Sequence, residues 1–379
     1  MGIISLKKKI FFSGFIFLIF FGTMESFALL IENWYPTALV DFDGGFTANN
    51  PIFIKEDGQP EFRKTNPQKL AIFQDQVFLA KKNPNVFRIV FLGESSINNI
   101  HHFLPEFSKQ LKSKFPNFNE VEILNLGGKS YGSTRLLLAA KEMIQYQPDL
   151  LLVYIGHNEF EEVEQFNLIN PKNAFVGNFY YHSALLRLAS TGFLHHTLTQ
   201  LEKSKQAEFL SKDPDTQRAW SYHFNLDDLQ ERMTIFKNNL EKLVSIYQVH
   251  KIPIIIGSVP SNIFNPYLPK EMRADYREFN EFFDKGDYMK AYNFGEDFLA
   301  KTVGRHQSSK IENQIIRKIA SSKKIILADV EEEIKKAEPR HIPGERLFND
   351  HCHLNEGGNK ILIESFYKAI GESRSAKDY

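Results

Sequence analysis

The feature that most constrains this chain is a series of short, unbroken apolar runs, each closing at or near a small residue and each followed by helix-forming sequence. The first is Phe87–Leu92, closed by Gly93. Val121–Asn125 follows, with Gly127-Gly128 behind it, and then Leu150–Ile155, closed by Gly156. Ile252–Ile256 and Lys324–Ala328 complete the set of five. Runs of this length without polar alternation read as strands buried on both faces. Strands of that kind, separated by helices, form a parallel sheet with helices on either side. The spacing predicts helices over 98–114, 134–147 and 355–370, and mainly helix over 157–250 with a polar interruption near 202–219. In such sheets ligands bind outside the carboxyl ends of the strands, so the loops behind the apolar runs are where chemistry is expected.

Ahead of this alternation the chain is different. Lys7-Lys8-Lys9 precede an apolar run from Ile10 to Phe21; Gly22 to Ser26 interrupt it, and Phe27 to Ile31 is apolar again. Read alone, the first run is the core of a secretory signal, with Ser26-Phe27-Ala28 as a small-x-small cleavage site. Read together, Ile10 to Ile31 is 22 residues, about 33 Å of helix and enough to cross a bilayer. Glu25 counts against the second reading unless it lies near the interface. Either way the three lysines keep the N-terminus inside and the remainder is expected outside the cytoplasm. No Cys follows the apolar run, so lipid attachment there is not expected. The expected organisation is a signal peptide or membrane anchor over 1–31, a stalk or wrapping segment over 32–85 and an α/β domain over 86–374. A charged helical insertion occupies about 262–322. Gly286–Ala291 is similar to a fragment of a tetratricopeptide helix, but one unit cannot build a solenoid.

Composition narrows the function classes. Lys plus Arg and Asp plus Glu are each 46, so the net charge is zero, which gives no electrostatic case for nucleic acid as partner. Cys352 is the single cysteine, so an intrachain disulfide and a CxxC motif are excluded. GxGxxG and GxxxxGK[ST] are absent, which argues against dinucleotide binding and P-loop hydrolysis.

Four loops carry candidate chemistry. Gly93-Glu94-Ser95-Ser96 closes the first run, where a serine serves either as a helix cap or beside an anion held by free N–H groups. Gly156-His157-Asn158-Glu159 closes the third, and its Asn either forms a turn or aims an amide at a developing oxyanion. Asp350-His351-Cys352-His353 sets a carboxylate three residues from an imidazole whose tautomer it could fix. Metal is not expected there, because adjacent side chains diverge and no second ligand cluster accompanies them. His101 and His102 read as surface or rim residues. Gly128-Lys129-Ser130-Tyr131-Gly132 matches the G-x-S-x-G nucleophile elbow of α/β-hydrolases, although only one convincing strand precedes it and no separate acid and His loops are apparent.

Taken in order, these loops resemble the SGNH, or GDSL-type, hydrolase family over roughly Phe87 to Ile370. The resemblance implies a three-layer α/β/α sandwich with a five-stranded parallel, flavodoxin-like sheet. It implies Ser95 as nucleophile, His353 as base and Asp350 as its orienting acid. The oxyanion hole would comprise the N–H groups of Ser95 and Ser130 and the amide of Asn158. Two departures stand out. Glu94 replaces the usual Asp, which is expected to be harmless. Ser130 stands where Gly is common, leaving open whether Ser130 or Gly132 supplies the second backbone donor. The apolar start and the insertion are similar to an exported, membrane-anchored subgroup. The expected function is a serine esterase acting on an O-acylated small molecule, glycan or lipid outside the cytoplasm, without metal or organic cofactor. An O-acetyltransferase using the same residues, an α/β-hydrolase with Ser130 as nucleophile and a non-catalytic binding or assembly protein are the alternatives.

Overall fold

The structure, a computed structural model, describes residues 6–34, 51–162, 183–186, 188–189, 224–268 and 272–372. The chain divides into two units, Met1–Pro51 with Phe166–Ala219, and Ile52–Gln165 with Trp220–Tyr379. In the first, α1 (Leu6–Trp34) contains a stretch, Lys7–Ile31, of mean hydropathy 2.0, long enough to cross a membrane. Its hydroxyls do not break the helix. Thr23 Oγ1 and Ser26 Oγ each donate back to the carbonyl four residues earlier, at 2.8 Å, the usual way an apolar helix absorbs a hydroxyl. The predicted polar interruption near 202–219 lies outside the described residues.

The second unit is built on the parallel sheet. Its strands are β4 (Val86–Gly93), β5 (Glu120–Gly127), β6 (Leu150–Tyr154), β7 (Ile254–Gly257) and β8 (Ile326–Ala328), in the order β5-β4-β6-β7-β8. Every pair is parallel. This is the expected flavodoxin-like order, with the first strand inside and the chain crossing over it. Residues two and four apart on β4 share a face of the sheet. Phe87 stacks on Phe115 at 3.9 Å, and Phe91 meets Phe366 of α10 (Glu356–Glu372) at 4.8 Å. Helices α4 (Ser133–Met143), α5 (Leu226–Val249) and α8 (Lys310–Lys323) pack on one another as a further layer.

The helix predicted over 98–114 is instead broken. It comprises α2 (Ser95–Asn99), a 3₁₀ turn over 100–103, and α3 (Leu104–Lys112). Pro105 is the cause. It lacks an N–H and disfavours continuous helix before it, but suits the first turn of a new one. In the region read as a helical insertion, α6 (Arg277–Asp284) and α7 (Tyr288–Lys301) pack as a pair.

Preceding the parallel sheet are three antiparallel strands, β1 (Phe53–Glu56), β2 (Gln59–Thr65) and β3 (Val77–Leu79). Glu142 of α4 accepts the N–H groups of Ile52 and Phe53 at 2.8 and 3.0 Å. Phe53 and Phe78 pack edge-on against Tyr146. The turn before β3 braces the edge of the parallel sheet. Gln76 accepts from the Asn125 N–H and donates to its carbonyl, both at 2.7 Å, so a side chain occupies edge positions of β5 that would otherwise be open.

Two glycines let α2 sit on the carboxyl edge. A Cβ at Gly93 would lie 2.7 Å from the Tyr154 carbonyl oxygen, and one at Gly127 would lie 2.1 Å from the Asn98 nitrogen. Backbone cannot yield as a flexible side chain does. Gly127→Ala is therefore expected to destabilise the unit by about 1–3 kcal/mol, read as a lower urea midpoint at constant m-value. An unchanged midpoint would contradict the close approach of α2.

Candidate active site

Ser95 is the first residue of α2, and Glu94 occupies the capping position, so Ser95 is not the helix cap. Its Oγ lies 2.7 Å from His353 Nε2. On the other side of the ring, Nδ1 lies 2.7 Å from Asp350 Oδ2. The second carboxylate oxygen, Oδ1, accepts the N–H groups of Cys352 and His353 at 2.8 and 2.7 Å. A single carboxylate thus shapes the turn and orients the imidazole borne on it. The turn is pinned from outside, where Asn262 donates its N–H to the His351 carbonyl at 3.0 Å and its amide to the Asp350 carbonyl at 3.1 Å. Partial burial works to raise the Asp350 carboxyl, but hydrogen bonding and charge from His353 outweigh it and hold it below the usual carboxylate range. An ionised Asp350 requires the proton on Nδ1. Nε2 then presents its lone pair to the Ser95 hydroxyl.

The other loops meet at the same edge because β4 holds β5 and β6 in register, with Gly93 opposite both Gly127 and Tyr154. Ser130 adopts a left-handed backbone, φ 59°, uncommon for a residue with a Cβ. Arg135 holds it there, donating to the Ser130 carbonyl at 2.6 Å. The Gly132 N–H is taken by Glu162 at 3.1 Å, whereas the N–H groups of Ser95 and Ser130 make no hydrogen bond among the described residues. Asn158 is buried, and its amide lies 3.5 Å from the Tyr131 carbonyl, at the outer limit of a hydrogen bond.

Glu94 has a role its sequence position does not disclose. Fully buried, it accepts three successive N–H groups, those of Gly156, His157 and Asn158, at 3.1, 2.9 and 3.0 Å. It ties the end of β4 to the loop after β6 and orients the Asn158 backbone. Burial pushes its carboxyl well above the ordinary range, against the pull of the three donors. A second buried group supports the Ser130 loop. Arg232 bridges Glu159 and Glu162 at 2.6 and 2.8 Å, and these carboxylates accept the N–H groups of Gly132, Ser133, Thr134 and Arg135. Removing one partner from such a buried set typically costs about 3–5 kcal/mol. His157 is held neutral, its pKa lowered to about 3 by burial and by the neighbouring His353 and His351. Its Nδ1 accepts the Ser308 N–H at 3.1 Å.

Of the residues singled out in sequence, Ser95, His353 and Asp350 form one hydrogen-bonded chain, and Ser130 and Asn158 lie on loops at the same carboxyl edge. Ser130 Oγ has no imidazole partner among the described residues, since His353 faces Ser95. His101 and His102 are exposed. Asp350, His351 and Cys352 each bring one donor atom within 4.8 Å of the others, but both Asp350 oxygens already accept hydrogen bonds. Sequence reasoning missed Glu94 as an organiser and the set of Glu159, Glu162 and Arg232. The only available signal was a pair of acids three apart directly behind a strand end.

The sequence matches no family model and no curated protein. Solved structures with a similar arrangement include a GDSL-like lipase from Bacteroides thetaiotaomicron, 13% identical over 76% of this chain and 88% of that one, with a TM-score of 0.39. Another is a catalytic mutant of an acetylxylan esterase from Geobacillus stearothermophilus, 14% identical over 75% of this chain and 94% of that one, with a TM-score of 0.38.

Glutamine at position 94 keeps one acceptor oxygen and sets an NH₂ against N–H donors. Amide exchange at Gly156, His157 and Asn158 is therefore expected to accelerate roughly tenfold to a hundredfold in Glu94→Gln, the cost of leaving a buried donor without its acceptor. Exchange in β7 should stay unchanged. Equal protection in both proteins would remove Glu94 from this role.

Proposed function

We propose that this chain is a serine ester hydrolase of the SGNH type. The observation that carries the reading is the chain from Ser95 through His353 to Asp350, with the nucleophile at a helix start and two N–H groups on adjoining loops that are unengaged among the described residues. Ser95 Oγ attacks the ester carbonyl as His353 Nε2 takes its proton. Asp350 stabilises the imidazolium without taking the proton itself. The negative charge that develops on the carbonyl oxygen is received by the N–H groups of Ser95 and Ser130 and the amide of Asn158. The N–H of Gly132 is already committed to Glu162, which favours Ser130 as the second backbone donor. When the tetrahedral intermediate collapses, His353 returns the proton to the leaving alcohol. Water, activated by the same imidazole, then releases the acid from Ser95.

The acyl substrate is proposed to lie outside the cytoplasm, as an O-acyl group of a small molecule, glycan or lipid. Support for that location is α1, whose first-turn lysines precede its apolar run, as an anchor or as a signal.

A fluorophosphonate should label Ser95, and Ser95→Ala should abolish both labelling and ester hydrolysis while leaving the circular dichroism spectrum intact. Ser130→Ala keeps the backbone N–H and is expected to retain substantial activity; an adduct mapped to Ser130 would sink the assignment. Asn158→Ala should lower kcat roughly a hundredfold to a thousandfold with little change in KM, because the amide acts mainly on the transition state. A kcat near that of the unaltered protein would take Asn158 out of the mechanism.

A further inference from the structure

The acidic residue that argues against a spanning helix has partners of its own. Glu25, on the last third of α1, accepts a hydrogen bond from Ser183 Oγ at 2.7 Å, across 158 residues of sequence. The same carboxylate accepts the N–H of Ala184 and, at 3.1 Å, that of Leu185. The Leu186 N–H in turn donates to Ser183 Oγ at 3.2 Å. Together the carboxylate and the hydroxyl satisfy successive N–H groups of the helical residues that begin at Ala184. A carboxylate within an apolar helix is tolerated where it faces protein and is hydrogen-bonded. One turn further along, on the same face of α1, Ala28 is 1% exposed, while Phe27, Leu29 and Leu30 beside it are exposed. Ala184 is fully buried.

We infer that α1 is retained as an anchor after export and that Glu25 holds the inserted segment around Ser183–Leu185 against it. Both regions belong to the same unit. One observation separates this from a cleaved signal: cutting after Ala28 would discard Glu25 and leave the donors of Ser183, Ala184 and Leu185 without their acceptor. The polar break from Gly22 to Ser26, read in sequence as the end of a signal core, is then the docking point for a segment inserted far along the chain.

The test uses the full chain produced in bacterial membranes. The mature N-terminus, read by mass spectrometry, is expected upstream of Ile10, with the protein in the pellet after alkaline carbonate extraction. A mature start at Leu29 overturns the inference. Glu25→Leu tests the contact, because a helix serving only as an anchor would be held at least as well by the more apolar residue. With protease added from the exported side, nicking within 166–219 is expected to rise at least roughly tenfold in Glu25→Leu, which removes all three hydrogen bonds and so loses no less than one charge-assisted bond is worth. Ser183→Ala, which leaves α1 untouched, should shift nicking in the same direction by a smaller factor. Nicking rates equal to the unaltered protein in both variants overturn the contact.

Discussion

The three hydrogen bonds that Glu94 accepts from Gly156, His157 and Asn158 are the interaction on which the rest of the site depends. Parallel strands place their carboxyl ends on one edge, but the loops beyond them are free to diverge. A buried carboxyl group that must collect N–H donors removes that freedom, since a buried polar group left unsatisfied costs about 1–3 kcal/mol and more if it is charged. Glu94 immediately precedes Ser95, and Asn158 is among its three donors. One side chain therefore couples the position of the proposed nucleophile to that of the proposed oxyanion donor. On the opposite side of the β4 end, Glu162 and Arg232 do the same for the loop bearing Ser130.

Asp350 works by a different economy of parts. One of its oxygens shapes the turn through the Cys352 and His353 N–H groups, and the other orients the imidazole. Carboxylate and imidazole are thus a single local unit, which Asn262 pins from outside. By contrast, the serine, the second loop and the asparagine arrive from three strands and need the buried carboxylates to align them.

What could be read from sequence follows from the range of the forces involved. The five strands were legible because each is a mostly apolar run, and their parallel sense because helices between them force it, whereas their order was expected only from the family resemblance. Asp350 and His353 were legible because they sit three apart. Glu94 was not, because its meaning lies in donors 62 to 64 residues away, and in one dimension it is merely a carboxyl beside a serine. The choice between Ser130 and Gly132 was equally closed to sequence, since it turns on Glu162 taking one of the two N–H groups. The helix read over 98–114 runs through Pro105, whose missing N–H ends one helical segment and starts the next. The strands β1–β3 are short and mostly exposed or half-buried, so no periodicity fixed their bounds.

The bracing of β5 by Gln76 bears on where an autonomous catalytic fragment can begin. A piece started at Val86, the first residue of the parallel sheet, would retain every residue of the proposed mechanism. It would also strip the amide from the Asn125 backbone and leave Glu142 without the Ile52 and Phe53 donors. The bared strand would then be a template for pairing with a second copy. A fragment begun before Ile52 keeps that edge closed, and the difference between the two would be visible in their monomer fractions on size-exclusion chromatography. The segment that reads in sequence as a stalk or wrapping segment is, in these terms, a guard over the edge of the sheet.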